Sequence, residues 1–158
     1  MKRSPPGMIG RSPMSKAEPA SQGAAHTGKC LCGAVRYEID GDLAPIQICH
    51  CEDCRKAQGS AFAANLPTPT DRFRLLAGED QLRAYESSPG KERVFCSVCG
   101  SPIFSRFAAR PGIVRIRAGT LNPPLTASVS FHFYTASKAD WWPILDDLPR
   151  YPGARPSP

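Results

Sequence analysis

Seven cysteines in three short groups constrain this 158-residue chain more than any other feature of its sequence. The groups, in chain order, are Cys30 and Cys32; Cys49, Cys51 and Cys54; and Cys96 and Cys99. Two or three thiolates so close in sequence can reach one metal ion, and sulfur ligands suit zinc. We therefore expect these cysteines to bind metal rather than to form disulfides.

The first and last groups together predict a closed zinc site. A C-x-C pair in an extended segment directs both sulfurs to one face, because side chains alternate with a period of two. The C-x-x-C pair is followed by Gly100 and has the form of a knuckle turn. Two plus two ligands give a structural site whose ligands are Cys30, Cys32, Cys96 and Cys99. From spacing alone, a partition in which Cys30 and Cys32 join Cys49 and Cys51 stays open.

The middle group offers three thiolates within one loop and no fourth cysteine. Three protein ligands that leave a position for water or substrate are typical of catalytic zinc, so we assign that role to Cys49, Cys51 and Cys54. The alternatives are that both ions are structural, or that one ion is bound and three thiols are spare. In an extended segment His50 points away from Cys49 and Cys51, so we expect it to pack behind the loop rather than to bind zinc.

Short segments in which apolar and polar residues alternate predict β-strands over most of the chain. They occupy residues 34–40, 60–66, 72–76, 82–86, 93–96, 102–107, 113–118 and 129–135. Turn signals separate them, so we predict a mainly β fold, a compact antiparallel β-sheet domain with little helix. Short helices are expected around 52–58 and around 140–148, where Pro143 limits the length. The chain offers no βαβ unit for a thioredoxin-type C-x-x-C.

Two adjacent tryptophans, Trp141 and Trp142, lie in the second of these helical segments. Tryptophans and leucines grouped in this way most often close a core, and that is our prediction. The alternative is that one of the two indoles lies at the edge of the zinc loop.

A change of composition near residue 26 predicts the domain boundaries. Residues 1–25 are rich in Pro and Ser and hold four basic residues against one acidic residue, which predicts a disordered basic tail. Residues 26–151 form the predicted zinc-binding domain, and residues 152–158 form a second disordered tail. A chain with 41% hydrophobic residues and this length can bury one core.

The formal net charge of +6 points to no particular partner. Half of it lies in the basic tail and the rest is spread along the chain, so we expect no nucleic-acid partner. No apolar run approaches the roughly 18 residues of a membrane span, and the first residues lack the apolar region of a secretory signal. We therefore expect a cytoplasmic protein without membrane contact.

Four segments of the sequence resemble one known family. In order, they are GKCLCGAVRYEI, CHCEDCRKAQGSAF, FCSVCGSPIF and ASKADWWPILDDLPRY. Over residues 28 to about 151 they resemble the glutathione-dependent formaldehyde-activating enzyme (GFA) family, which includes centromere protein V. The resemblance implies a β-rich domain with two zinc ions per chain, one structural and one catalytic. By similarity, the ligands fall into the same two groups that the spacing predicts.

The resemblance also implies an activity, the reversible joining of formaldehyde to the thiol of glutathione. This is a carbon–sulfur lyase reaction, and its partner is a small-molecule thiol such as glutathione. Zinc in the three-cysteine loop would lower the pKa of the incoming thiol. Arg55 and Lys56 directly follow Cys54 and would balance its negative charge or hold glutathione carboxylates. The alternative for both is a solvated surface position.

A competing hypothesis is a non-catalytic zinc-binding adaptor related to centromere protein V. Its basic tail would contact acidic partners. The domain itself lacks a basic stripe with interleaved aromatic residues, so the adaptor hypothesis depends on the tail.

Overall fold

The computed structural model describes residues 25–156, so the predicted basic tail lies outside the described residues except for residue 25. The described chain contains ten strands: β1 (His26–Lys29), β2 (Arg36–Ile39), β3 (Ile46–Cys49), β4 (Ala63–Pro69), β5 (Phe73–Ala77), β6 (Leu82–Ser88), β7 (Lys91–Cys96), β8 (Pro102–Phe107), β9 (Ile113–Arg117) and β10 (Val129–Phe133). One helix, α1 (Glu52–Gln58), lies between β3 and β4. The predicted mainly β fold with little helix is confirmed.

The strands form two sheets. The smaller has the order β1-β2-β5, and the larger has the order β10-β3-β4-β9-β8-β7-β6. Neighbouring strands are antiparallel as predicted, with one exception, because β10 pairs with β3 in parallel. The last strand therefore adds to the larger sheet beside the strand that ends in the three-cysteine group.

The larger sheet has one face in the core and one face outside it. Tyr37 and Ile39 from the smaller sheet share the main buried cluster with Leu66, Val94 and Ile116 from the larger sheet. Residues adjacent in sequence point to the opposite face of a strand. The outer face of the larger sheet is therefore separate from the core, and it carries the three-cysteine group.

Helix α1 has the bounds that the sequence predicted for it. The Cys51 side chain caps its first turn by accepting a hydrogen bond from the backbone N–H of Cys54, with the two atoms 3.4 Å apart. Gly59 ends the helix at φ 58°, a left-handed conformation that glycine adopts without a steric penalty. The helix thus holds Cys54 one turn beyond Cys51.

The segment around 140–148 differs from the prediction in two ways. No helix forms there, because Pro143 lacks an amide donor and the chain instead runs beside β10. The prediction that the tryptophans close the core is also wrong, since Trp141 is 69% exposed and Trp142 is 41% exposed. The main core takes its residues from the strands and from neighbouring turns, and none from 140–148, while Trp142 packs edge-on against Phe62 with ring centroids 5.8 Å apart.

The described part of the predicted C-terminal tail contacts the domain. The carbonyl groups of Pro152 and Gly153 accept hydrogen bonds from the N–H groups of Ala136 and Tyr134, at 3.2 and 2.9 Å. The guanidinium of Arg155 lies 4.9 Å from the centre of the Phe131 ring, a cation–π contact. The chain stays against this side of the domain as far as Arg155.

Candidate metal centres

The first and last cysteine groups meet in space. The four sulfur atoms lie within 4.8 Å of one another and belong to Cys30, Cys32, Cys96 and Cys99. Cys32 Sγ is 3.5 Å from Cys30 Sγ and 3.9 Å from Cys96 Sγ. Sulfurs bound to one tetrahedral zinc at about 2.3 Å would be about 3.8 Å apart. The donor type, number and spacing therefore fit one zinc ion.

The first pair of this four-sulfur cluster lies in a turn after β1, and not in the extended segment that the sequence predicted. The turn is possible because Gly33 adopts φ 79° and its N–H donates to the Cys30 carbonyl at 3.1 Å. The N–H of Val35 donates to Cys30 Sγ at 3.2 Å, a contact that stabilises a thiolate. The two sulfurs converge by turn geometry rather than by strand alternation.

The second pair forms the predicted knuckle turn. Gly100 has φ 73°, and its N–H donates to the Cys96 carbonyl at 2.8 Å. Ser101 Oγ lies 3.2 Å from Cys99 Sγ and accepts a hydrogen bond from the N–H of Leu31 at 3.0 Å, so it links the two turns. The Ser101 hydroxyl is also the main reason why the pKa of Cys99 falls to about 5. Cys99 is thus favoured as a thiolate at neutral pH.

The middle group forms a separate three-sulfur cluster. The sulfurs of Cys49, Cys51 and Cys54 lie within 4.8 Å of one another, and the first two are 3.5 Å apart. Cys49 and Cys54 are buried, and Cys51 is partly exposed. Within residues 25–156, no carboxylate, histidine or further cysteine joins this group. The cluster therefore fits a metal ion with three protein ligands.

The two clusters differ in their relation to the core. Cys30 and Cys96 are 1% and 0% exposed and belong to the main hydrophobic cluster. Cys49 and Cys54 instead form a small separate cluster with Ala63. Two ligands thus anchor the four-sulfur cluster in the core, although Cys32 is exposed, whereas the three-sulfur cluster lies apart from the core.

A guanidinium group lies beside the three-sulfur cluster. Arg93 Nη1 is 3.7 Å from Cys54 Sγ. Hydrogen bonds with Cys49 and Cys51, and then the contact with Arg93, lower the pKa of the Cys54 thiol far below its ordinary value despite burial. The same thiol contacts raise the pKa of Cys49. The cluster therefore favours a thiolate, the form in which cysteine binds metal.

Arg93 belongs to a group of four basic residues that the sequence analysis did not single out. Cys49 lies opposite Ala63, and Ser105 lies opposite both Arg93 and Arg115. Since Asn65 lies opposite Arg117 and residues two apart share a face, the register places all these side chains on the outer face. We call the part of it formed by Lys91, Arg93, Arg115 and Arg117 the basic face.

Charge and burial set the properties of the basic face. Arg117 is only 4% exposed, and its Nη1 donates to Asn65 Oδ1. Burial, followed by the neighbouring charges of Arg115, Arg117 and Arg93, lowers the pKa of Lys91 to about 8. The signal in the sequence was the spacing K-x-R in β7 and R-x-R in β9, which puts basic residues on one side of each strand.

Behind the three-sulfur cluster, two histidines are joined by a hydrogen bond. His50 is fully buried, as expected for a residue that packs behind the loop, and its Nε2 lies 2.8 Å from His132 Nδ1. His132 Nε2 lies 3.0 Å from Asp146 Oδ2. Burial, followed by the neighbouring His132, lowers the pKa of His50 to about 4. No local motif could reveal this series of hydrogen bonds, because its three residues are far apart in sequence.

Arg55 and Lys56, which were expected to balance the charge of the three-cysteine loop or to hold glutathione carboxylates, or else to be solvated, occupy different environments. Arg55 is partly buried, and its Nε has no hydrogen-bond partner within the part of the chain that the structure describes. Lys56 is exposed and forms an ion pair with Glu52 at 2.6 Å, one helical turn away. Arg55 is therefore free to bind an anion, whereas Lys56 already has a carboxylate partner.

The fold is β-rich, and it carries two cysteine clusters that could hold metal ions. The chain belongs to the GFA family, because residues 25–137 match the family described as glutathione-dependent formaldehyde-activating enzyme. The resemblance seen in the sequence is thereby confirmed. No helix in the described range 25–156 is both long and apolar enough for a membrane span.

Individual relatives cover only part of the chain. A protein of Talaromyces marneffei, provisionally named as a glutathione-dependent formaldehyde-activating enzyme, is 28% identical over 93 residues, which are 59% of this chain and 50% of that protein. An uncharacterized lyase of Schizosaccharomyces pombe is 30% identical over 79 residues, which are 50% of this chain and 56% of the relative. The chain thus spans about half the length of these curated relatives.

A solved structure has the same fold. The crystal structure of a Rhodobacter sphaeroides protein matches with a TM-score of 0.54 and 22% identity. The match covers 66% of this chain and 99% of that chain. At this level of identity, the likeness concerns the fold alone.

Proposed function

We propose that this protein is a zinc-dependent carbon–sulfur lyase that joins a thiol to an aldehyde, with glutathione and formaldehyde as the substrates. The product is S-hydroxymethylglutathione, and the reaction is reversible. In the forward direction the thiol sulfur bonds to the formaldehyde carbon while the carbon–oxygen π bond breaks. The oxygen then takes up the proton that the thiol releases, so no oxidant or other co-reactant is needed.

The observation that carries this proposal is the difference between the two clusters. Four sulfurs complete a tetrahedral set, and we propose that they hold a structural zinc ion. Cys49, Cys51 and Cys54 supply three ligands only, an arrangement typical of catalytic zinc. Zinc bound by these three residues would supply a Lewis acid that lowers the pKa of a thiol substrate.

The surrounding residues have separate roles in the proposed reaction. Cys51 is the partly exposed member of the cluster, so a small thiol can approach from its side. The Arg93 guanidinium beside Cys54 favours an anionic sulfur in this position. Arg55 is proposed to bind a substrate carboxylate, because its Nε is buried and free of partners within the described residues. For Lys56, which pairs with Glu52, we propose only a weak contribution to charge.

Exchange spectroscopy tests the activity directly. Glutathione, formaldehyde and their adduct are brought to equilibrium, and NMR measures the rate of exchange between the free and the adduct forms. We expect the zinc-loaded protein to accelerate exchange and Cys51→Ser to abolish the acceleration. Two controls are buffer with the same total zinc, since the free ion can also activate a thiol, and the Arg106→Gln variant.

The possible results separate the substrate from the reaction class. Acceleration with other small thiols but not with glutathione would contradict the substrate and keep the carbon–sulfur chemistry. Absence of acceleration with every thiol tested would contradict the enzyme and return the protein to the adaptor hypothesis.

A further inference from the structure

The basic face carries more positive charge than the three-sulfur cluster beside it can balance. Glu92 is the only acidic residue in β4, β7, β8 and β9, and it points to the opposite face, where it pairs with Arg106. Among the described residues, none of the four basic side chains forms an ion pair with Asp or Glu. The positive charge of this face is thus not neutralised by nearby carboxylates of the fold.

Two of these side chains also have unused hydrogen-bond donors. Within residues 25–156, the Nε atoms of Arg115 and Arg117 are buried and have no hydrogen-bond partner. Leaving a buried charged donor unpaired is costly, and the lowered pKa of Lys91 reflects the mutual repulsion of the group as well as burial. An anion that binds here would relieve both effects.

We infer that the basic face is a subsite for a carboxylate group of the thiol substrate, in addition to the carboxylate that Arg55 is proposed to bind. This inference rests on the proposed function. Three thiolates around a divalent ion have a net charge of minus one, and a substrate thiolate adds a second negative charge. Positive charge then remains on the basic face, and a carboxylate of the substrate would balance part of it.

The dimensions of the face suit one small molecule. Arg93 and Arg115 both lie opposite Ser105 on the strand between them, so their backbones are about 10 Å apart at the usual spacing of strands. Arg93 also contacts Cys54, so the sulfur end of a substrate and the carboxylate bound by the basic face would lie on the same face. The fork of a guanidinium can bind a carboxylate through two hydrogen bonds.

Calorimetry with two ligands that lack a free thiol tests the subsite apart from the reaction. S-methylglutathione keeps both carboxylates, and its diethyl ester keeps neither. We expect the zinc-loaded protein to bind the acid and not the ester, with affinity that falls as salt is raised. Arg115→Gln should weaken binding about ten-fold or more, the size of one charge-assisted hydrogen bond. Lys91→Met tests the same face if the first variant folds poorly.

The matched control is Arg106→Gln, which removes one positive charge from the opposite face of the same sheet and should leave binding unchanged. Equal binding of the acid and the ester, or equal binding by wild type and both basic-face variants, would overturn the subsite. Failure of S-methylglutathione to bind would do the same. Exchange between 2-mercaptoethanol and formaldehyde distinguishes failure of the subsite from failure of the proposed function. We expect acceleration of this exchange to depend on Cys51 and not on Arg115, so it would persist if the subsite alone were wrong.

Discussion

The hydrogen bond between His50 Nε2 and His132 Nδ1, at 2.8 Å, joins the three-cysteine loop to β10, the edge strand that pairs in parallel with β3. His132 also contacts the Asp146 carboxylate, which can only accept a hydrogen bond when ionised. A neutral His132 therefore donates from Nε2 and accepts at Nδ1, so His50 donates from Nε2. The Asp146 carboxylate thus sets which atom donates in each of these two hydrogen bonds.

Replacing His132 tests whether the hydrogen bonds that join His50, His132 and Asp146 stabilise the protein. We expect His132→Phe to lower the free energy of unfolding by about 1 to 3 kcal/mol, because the buried N–H of His50 loses its acceptor. Urea denaturation at pH 8 measures the loss, and Asp147→Asn, at an exposed neighbouring carboxylate, is the control. A loss no greater than that of the control would show that the hydrogen bond is not important for stability.

Local patterns in the sequence were sufficient to predict the helices and strands whose formation depends on neighbouring residues. Helix α1 forms at the predicted residues, and the predicted strand over 102–107 has the bounds of β8. Strand β1 was missed because its sequence, HTGK, has no apolar alternation. Spacing predicted the observed grouping of the cysteines but left a second partition open, and the first pair meets through a turn at Gly33 and not through an extended segment.

The remaining features depend on how distant segments pair. The basic face requires the register of four strands, which places Arg93 and Arg115 opposite the same serine. The position of Trp142 outside the core depends on the path of the chain beside β10, which composition does not determine. For the basic face and for Trp142, the sequence shows the residue types. It does not show which residues would lie next to them in the folded protein.

Metal analysis should find two zinc ions per chain, with different rates of loss to a chelator. The four-sulfur cluster holds two buried cysteines of the main core, so release of its ion requires large-scale unfolding. The three-sulfur cluster lies in one loop and helix and can open locally. We expect a mild chelator, followed with a colorimetric indicator, to remove one ion rapidly. A single ion per chain after purification with zinc present would contradict the assignment.

Matched cysteine variants should separate the two clusters by stability. Cys99→Ser removes a ligand of the four-sulfur cluster and should lower the free energy of unfolding by several kcal/mol. This loss is a fraction of the roughly 10 kcal/mol that structural zinc contributes in small domains. Cys51→Ser should cost about 1 kcal/mol or less, because serine can keep the N-terminal cap of α1. Thermal denaturation by circular dichroism measures both. Equal destabilisation would indicate that both ions are structural.

A buried tyrosine should make the fold sensitive to alkaline pH. Tyr37 is 0% exposed, and burial raises the pKa of its hydroxyl to about 12, although the hydrogen bond with Thr120 at 2.7 Å acts in the opposite direction. The unfolded chain releases this proton near pH 10, whereas the folded chain keeps it to about pH 12. The contribution of Tyr37 to stability is therefore complete below pH 10 and declines between pH 10 and 12. By pH 12 the loss should be about 2 to 3 kcal/mol.

The Tyr37→Phe variant isolates this effect from other groups that titrate in the same range. At pH 8 it should be less stable than wild type by about 1 kcal/mol, since the hydroxyl of Thr120 loses a partner. As pH rises from 10 to 12, the wild type should lose stability faster than the variant, so the difference between them shrinks or reverses. Urea denaturation at intervals of half a pH unit measures the two curves. Parallel curves across this range would mean that the Tyr37 hydroxyl does not resist ionisation in the folded protein.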